Sequence, residues 1–378
     1  MNLLFVTCAR YPTEKAYGVT VGNTMKSLTK VGISNKIITW DNQLNDEYRN
    51  TIESITKRPL RLPLRLYNAN PRFISKLSYM VNQMIFSFYF AKMSRKYPVD
   101  SIFWTREPLT LIVHSIFNRK SRYLIDLHHS VGFINRFAIR FLGWTNRIQI
   151  IVLSADLEKI YSKIFSKKEI INLPMGVPES FRRLIRTKDN KEFVIGYVGK
   201  GFSNGHDNEL SEIIHTAKIL EHVPEVRFIF VGLEEGYIEQ LSLLINKLEV
   251  SPQKISFVHH LKHSEMPDEL LKFDVGIIPY PESLYNSERF PLKILEYAAV
   301  GLPIIASDTK SHRNLLNDSF AIFYQKGNYL ELSTLILNIM HNPSKYSLMS
   351  KNARAFSSNF TYDERVRKLL SSIDFANK

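Results

Sequence analysis

Two carboxylates, Glu288 and Glu296, stand eight residues apart in the stretch Glu288-Arg-Phe-Pro-Leu-Lys-Ile-Leu-Glu296-Tyr-Ala-Ala-Val-Gly301-Leu-Pro303. On one continuous helix they would lie roughly 12 Å apart and out of rotational phase, too far to grip one small ligand. Pro291 changes that geometry, because proline is tolerated in the first turn of a helix, where its missing N–H costs nothing. The sequence therefore predicts a loop over 287–290, a helix over 291–300, and a stop at Gly301. Glu288 then precedes the helix and Glu296 lies one and a half turns inside it. The backbone of Phe290, Pro291 and Leu292 leads into a first turn whose N–H groups have no helical partner. That is an anion site with a hydroxyl-accepting carboxylate on either side. A nucleoside diphosphate sugar, with its ribose, pyrophosphate and hexose, has the same layout.

The extended string P-x-K-x-x-E-Y-x-A-x-G-x-P over Pro291–Pro303, together with Glu288…Glu296, resembles the signature of retaining GT-B glycosyltransferases. The match is to the group 1 (family 4) type found in bacterial envelope and capsular polysaccharide synthesis. The resemblance implies an α/β chain of the GT-B fold, with two Rossmann-like α/β/α domains facing each other across a cleft. It implies that Glu288 holds or polarises the hexose and that Glu296 accepts the ribose hydroxyls. His128 matches the position whose imidazole faces the donor sugar's hydroxymethyl group, with His129 taking its place if the register slips by one. Gly18 resembles the glycine of the first βα loop that lets backbone approach a phosphate; a plain turn glycine is the alternative. Lys200 stands where the family usually has an Arg on the pyrophosphate. It brings charge without a bidentate fork, and an exposed loop lysine is its alternative reading. The family's second cation falls on His206, or on Asn204 if the loop is shorter. If His206 fills it, donor affinity weakens at alkaline pH, since only the imidazolium is charged.

These residues need a scaffold, and the chain reads as one. Asn2–Thr7 is an apolar first strand, followed by a polar loop, a helix over 22–31 and a strand over 36–40. This opening lacks the G-x-G-x-x-G spacing and so disfavours a bound dinucleotide. Further strands are expected at 101–104, 123–130 and 148–153. A Leu-Pro-Met-Gly176-Val177-Pro turn, with Met175 for the family's Asn, precedes a charged linker over 182–191. A second series of strands begins at Phe193 and runs through 226–231, 255–258, 274–279 and 303–306. The expected domains are 1–185 for the acceptor and 191–360 for the donor, with a last helix over 361–378 returning to the first.

The chain has 378 residues and one cysteine, which excludes a disulfide framework and a cysteine-based metal site and fits a reducing compartment. Met1–Cys8 is too short for a secretion signal, and no apolar run is long enough to span a membrane. The net charge is +14, and it is unevenly placed. Residues 1–190 hold 30 Lys and Arg against 13 Asp and Glu, or +17; residues 191–378 hold 20 against 23, or −3. The basic half calls for an anionic partner. Lys57, Arg58, Arg61 and Arg65 alternate with leucines and two prolines, which points to an anionic membrane surface. The aromatic-rich helix over 73–93 reads either as a core helix or as an interfacial one, with the core reading favoured.

The expected activity is a metal-independent, retaining transfer from a nucleoside diphosphate sugar to an acceptor hydroxyl, with no cofactor. The expected acceptor is a lipid-linked saccharide, and the expected place is the cytoplasm, at the inner face of the cell membrane. The alternatives are a sugar-nucleotide epimerase or glycogen-type polymerase on the same fold, or a basic nucleic-acid-binding protein. The last is disfavoured because no aromatic-basic RNA motif is present and the cations are spread over many elements.

Overall fold

The computed structural model describes residues 1–9, 11, 16–40, 52–55, 71–119, 121–145, 147–166, 169–184, 192–203, 206–283, 286, 288 and 290–373. The chain forms two units. One is Met1–Pro174 with Asp363–Lys378; the other is Met175–Tyr362. The basic segment at 57–65 and Asn204 lie outside the described residues.

In the first unit the chain runs β1 (Asn2–Val6), α1 (Ala16–Lys30), β2 (Ser34–Trp40), β3 (Ile52–Ile55), α2 (Pro71–Met93), β4 (Ile102–Thr105) and α3 (Ile112–Phe117). It continues β5 (Arg122–Leu127), α4 (Phe133–Thr145), β6 (Arg147–Val152), α5 (Ala155–Tyr161) and β7 (Ile170–Asn172). The strands make one parallel sheet in the order β3-β2-β1-β4-β5-β6-β7. Alternation along β1 explains why its sequence is apolar throughout: Leu4 and Val6 enter one core, Leu3 and Phe5 the other. Phe86 and Phe90 of α2 complete the first core, with Ile139 and Leu142 of α4 and Leu157 of α5. Val21, Met25 and Leu28 of α1 fill the second, together with Val366 and Leu369 of the C-terminal helix Tyr362–Ser372. Helix α2 is thus a core helix along its Phe86–Phe90 stripe.

In the second unit α6 (Glu179–Arg183) and β8 (Phe193–Val198) are followed by the short hairpin β9 (Phe202–Ser203) and β10 (His206–Asp207). Then come α7 (Ser211–Ile219), β11 (Val226–Val231), α8 (Glu235–Lys247), β12 (Ile255–Val258), α9 (Met266–Leu270) and β13 (Val275–Ile278). After these come α10 (Leu292–Ala299), β14 (Ile304–Ser307), α11 (Lys310–Arg313), β15 (Ala321–Tyr324), α12 (Tyr329–His341) and α13 (Pro343–Ser357). The sheet is parallel, in the order β12-β11-β8-β13-β14-β15. In both units the strand order reverses beside the first strand, at β1/β4 and at β8/β13. Open α/β sheets take ligands outside the carboxyl ends of strands at such a switch point. Among the described residues no helix is long and apolar enough to cross a membrane.

Three expectations need correction. The chain changes unit at Pro174, ahead of the expected linker, because residues 175–184 are built into the second unit. The Arg354 guanidinium fixes them: it donates to the carbonyls of Arg182 and Leu184 at 3.2 and 2.8 Å. It also reaches the carbonyls of Ala299 and Val300, which satisfies the open end of α10. Helix α1 starts at Ala16, so Gly18 lies in its first turn and not in a loop. Finally, Glu288 has helical backbone where a loop was expected.

Candidate active site

In the second unit the switch point is built around a glycine loop and the start of α10. Strand β8 ends at Val198 and passes into Gly199-Lys200-Gly201, with Gly199 at φ +130°. Pro291 is the N-cap of α10, extended at φ −66° and ψ 115°, and Gly301 terminates the helix at φ +79°. The helix starts one residue later than the spacing suggests. Its first N–H groups have no partner within the helix, which leaves a partial positive charge there. Tyr297 ties this helix to the loop: the Val198 N–H donates to its hydroxyl at 2.9 Å. Room for the ring comes from Gly276 on β13, where a β-carbon would lie 2.3 Å from Tyr297 Cδ2.

Two lysines flank the glycine loop. Lys200 Nζ lies 3.1 Å from Glu234 Oε1, and Glu234 Oε2 accepts the Gly201 N–H at 3.0 Å. Partial burial pushes the Glu234 carboxyl up, but its own N–H, Lys200 and the Gly201 N–H outweigh this and hold it below its ordinary value. The Lys200 carbonyl accepts from Tyr197 Oη and Asn208 Nδ2 at 2.8 and 2.7 Å, so the loop backbone is fixed from both sides. The other lysine, Lys293, comes from the first turn of α10. Its ammonium sits 4.1 Å from the Tyr197 ring centroid and 4.8 Å from that of Tyr280. It occupies the space beside Gly199, 2.8 Å from where a β-carbon would be. Lys293 stands inside the motif string, two residues after Pro291, and only the fold brings its ammonium against the glycine loop.

Glu296 is buried, and His263 Nε2 lies 3.0 Å from its Oε1. The His263 ring in turn packs 5.1 Å from the ring of Phe181 on α6. Neither contact was legible, since His263 precedes α9 and is 33 residues away in sequence. Phe290 is buried, and its ring stands 6.1 Å from that of Phe360. Pro291 and Leu292 are the N-cap and first residue of α10. Glu288 is half-buried. His206 is exposed, on the hairpin strand β10 in register with Ser203. The structure therefore brings together Gly199, Lys200, Lys293 and the start of α10, with Glu296 farther along that helix.

In the first unit His128 directly follows β5, at the carboxyl end of the sheet. Its Nε2 lies 3.2 Å from Asp126 Oδ2, a close approach without hydrogen-bond geometry. Arg106 Nε donates to the same carboxylate oxygen at 3.0 Å, and Arg365 of the C-terminal helix lies 3.9 Å from the other. Burial pushes the Asp126 carboxyl up, but His128, Arg106 and Arg365 outweigh it and hold the group well below the usual carboxylate range. Burial lowers His128 to about 4, helped by the Arg106 charge and opposed by Asp126. The imidazole is thus neutral near pH 7, suited to donating or accepting one hydrogen bond. His129, the alternative, is exposed. Beside this group Glu107 is buried and accepts from Thr7 Oγ1 at 3.1 Å, from the Cys8 N–H at 2.6 Å and from Tyr79 Oη. Burial raises its carboxyl above the ordinary value.

Residues 181–356 match the family described as glycosyl transferases group 1. The chain carries a group 1 glycosyltransferase domain. The chain is similar over its whole length to solved structures of the GT-B fold. One is a glycosyltransferase from Rickettsia africae: TM-score 0.73, 16% identity, covering 98% of this chain and 97% of that one. Another is Anabaena HepE in complex with UDP-glucose: TM-score 0.68, 16% identity, covering 99% and 100%. A third is a mutant of S. aureus TarM in complex with fondaparinux, α-GlcNAc-glycerol and UDP: TM-score 0.71, 10% identity, covering 98% and 99%. At these identities the likeness is one of fold. A short stretch of 47 residues is 40% identical to TuaH of Bacillus subtilis strain 168, a protein named for teichuronic acid biosynthesis. That stretch spans 12% of this chain and 12% of TuaH.

Proposed function

We propose that the protein transfers a glycosyl unit from a nucleoside diphosphate sugar to an acceptor hydroxyl, with retention of configuration and without a metal ion. The observation that carries this reading is the ammonium of Lys293 set against Gly199 at the start of α10. Cleavage of the donor leaves charge on the β-phosphate, and catalysis must stabilise that anion more than the ground state. Lys293, Lys200 and the first N–H groups of α10 supply fixed positive charge for it. Glu296 would accept ribose hydroxyls, and Glu288 would hold the hexose. His128, neutral at pH 7, would meet the sugar's hydroxymethyl group. HepE and TarM, which share the fold, hold UDP or UDP-glucose in their structures, and this favours a uridine donor.

For the acceptor we propose a lipid-linked saccharide of the cell envelope, used at the cytoplasmic face of the membrane. The basic N-terminal half, +17 over residues 1–190, supports an anionic surface there. The test is a panel of nucleoside diphosphate sugars screened by thermal shift, followed by transfer assays with a lipid-linked acceptor in EDTA. Stabilisation by one donor and an α-linked product from an α-linked donor are expected. Loss of turnover in EDTA, restored by Mg²⁺ or Mn²⁺, would overturn the metal-free reading. Isomerisation of the sugar nucleotide without an acceptor would make the enzyme an epimerase.

A further inference from the structure

Among the described residues of the first unit, the two most exposed aromatic side chains, Phe133 and Trp144, lie on α4. This helix buries Ala138, Ile139 and Leu142 on one side. Its other side presents Phe133, Ile134, Phe137 and Trp144, with Phe133 84%, Phe137 64% and Trp144 82% exposed. At 3.6 residues per turn these positions, with Phe141 between them, fall on one stripe. The Phe141 and Trp144 rings stand edge to face, 6.1 Å apart. The only charged residues on the helix are Arg136 and Arg140, both exposed and bordering that stripe. Helix α3, which packs on α4, ends in exposed Ile116 and Phe117. Between Glu107 and Asp156 the sequence has one acidic residue, Asp126, and it is buried under two arginines.

We propose that α4 is the element by which this protein lies on an anionic lipid bilayer. An interfacial helix needs an apolar face that can enter the headgroup boundary, aromatic rings that tolerate a wet edge, and cations facing the lipid phosphates. Helix α4 has all three, and no acid on the helix itself adds repulsion toward a surface of anionic lipid. Phe133, Phe137 and Trp144 insert, and Arg136 and Arg140 pair with headgroups. The inference deepens the lipid-acceptor reading and rests on it for its purpose; the lipid contact itself is tested without any sugar donor.

The chain offers an internal reporter. It has three tryptophans, of which Trp40 and Trp104 are buried and Trp144 is exposed. Adding phosphatidylglycerol vesicles should therefore shift the emission of the intact protein to the blue. Phosphatidylcholine vesicles should shift it much less, and 1 M salt should reduce the phosphatidylglycerol shift toward that smaller value. In flotation assays F133S/F137S should lose at least tenfold in vesicle affinity, and R136S/R140S should lose the preference for phosphatidylglycerol. Thermal shift with the donor, unaltered in both variants, shows that they are folded and keeps this test apart from the glycosyl-transfer reading. Three results would overturn the proposal. The first is no blue shift with phosphatidylglycerol. The second is a concentration-dependent shift without lipid, which would assign the face to a second copy of the chain. The third is loss of binding in K57S/R58S/R61S/R65S with F133S/F137S unaffected.

Discussion

His263 Nε2 stands 3.0 Å from Glu296 Oε1, so the carboxylate that the motif assigns to the ribose is already held by an imidazole. The pair fixes the Glu296 rotamer from outside its own helix, while the second carboxylate oxygen remains to accept a hydroxyl. A buried carboxylate positioned in this way discriminates for a hydroxyl donor, because an unfilled acceptor is costly.

Glu296→Gln is expected to weaken donor binding by about tenfold or more, in line with the loss of one hydrogen bond to a charged group, roughly 1.5–3 kcal/mol. His263→Ala should weaken it less, and His263→Gln should recover part of the loss by restoring a donor to Oε1. Calorimetry with the donor nucleotide alone reads this directly. Unchanged affinity in Glu296→Gln would show that the ribose lies elsewhere.

Lys293 gives a second prediction. Lys293→Met keeps much of the apolar stem over Tyr197 and Tyr280 and removes the charge beside Gly199. It should reduce kcat/KM by roughly 100-fold, the range seen when one preorganised stabilising group is lost. Lys200 shares its charge with Glu234 and is largely exposed, so Lys200→Met should cost less. Steady-state kinetics on the two variants decides the order. A larger loss at Lys200 would restore it as the principal cation.

The fold and the two ends of helix α10 could be read from the sequence for a definite reason. Apolar strands such as Asn2–Val6 and Phe193–Val198 are covered on both faces, and Pro291 and Gly301 mark the two ends of one helix through backbone chemistry alone. The partners of the site residues were not legible, because they come from distant elements. His263 reaches Glu296 from before α9, and Arg365 reaches Asp126 across 239 residues of sequence. Gly18 was misplaced because α1 extends over Ala16–Lys30, beyond the helix start expected at Gly22. Helix α4 went unread because its aromatic face points outward and does not mimic a core stripe.

Gly276 sets a packing prediction. Its position in β13 leaves no space for a β-carbon, which would lie 2.3 Å from Tyr297. Gly276→Ala must push the ring, and with it the hydroxyl that receives the Val198 N–H. Overpacking of this kind typically costs 1–3 kcal/mol. The variant should lose stability in urea and, because the start of α10 shifts against the glycine loop, donor affinity as well. Tyr297→Phe separates the two effects: it keeps the packing, orphans the Val198 N–H and should cost about 1–3 kcal/mol. A Gly276→Ala protein with wild-type stability would mean that the ring has room to move.

The last prediction concerns pH and the group around Asp126. His128 sits at about 4 in the folded protein against an ordinary 6.5, mainly through burial. The unfolded chain therefore binds a proton at His128 that the folded chain refuses between these values. Stability from this residue is fully present above pH 6.5, falls as the pH drops from 6.5 to 4, and levels off below. The size is set by the shift, at most about 3 kcal/mol. His114 is also lowered to about 4 by burial, and His312 is lowered in the same direction, so total stability has several sources in this window. His128→Asn isolates one of them. The difference in urea-unfolding free energy between wild type and variant should change by up to about 3 kcal/mol between pH 7 and pH 4, and an NMR titration of the His128 ring should have its midpoint near 4. Asp126→Asn removes the carboxylate that opposes the downward shift, so the His128 midpoint should move lower still. The same change leaves Arg106 and Arg365 without their shared anion and should destabilise the fold by roughly 3–5 kcal/mol. A His128 midpoint near 6.5 in the wild-type protein would show that the ring is solvated and that Arg106 does not act on it.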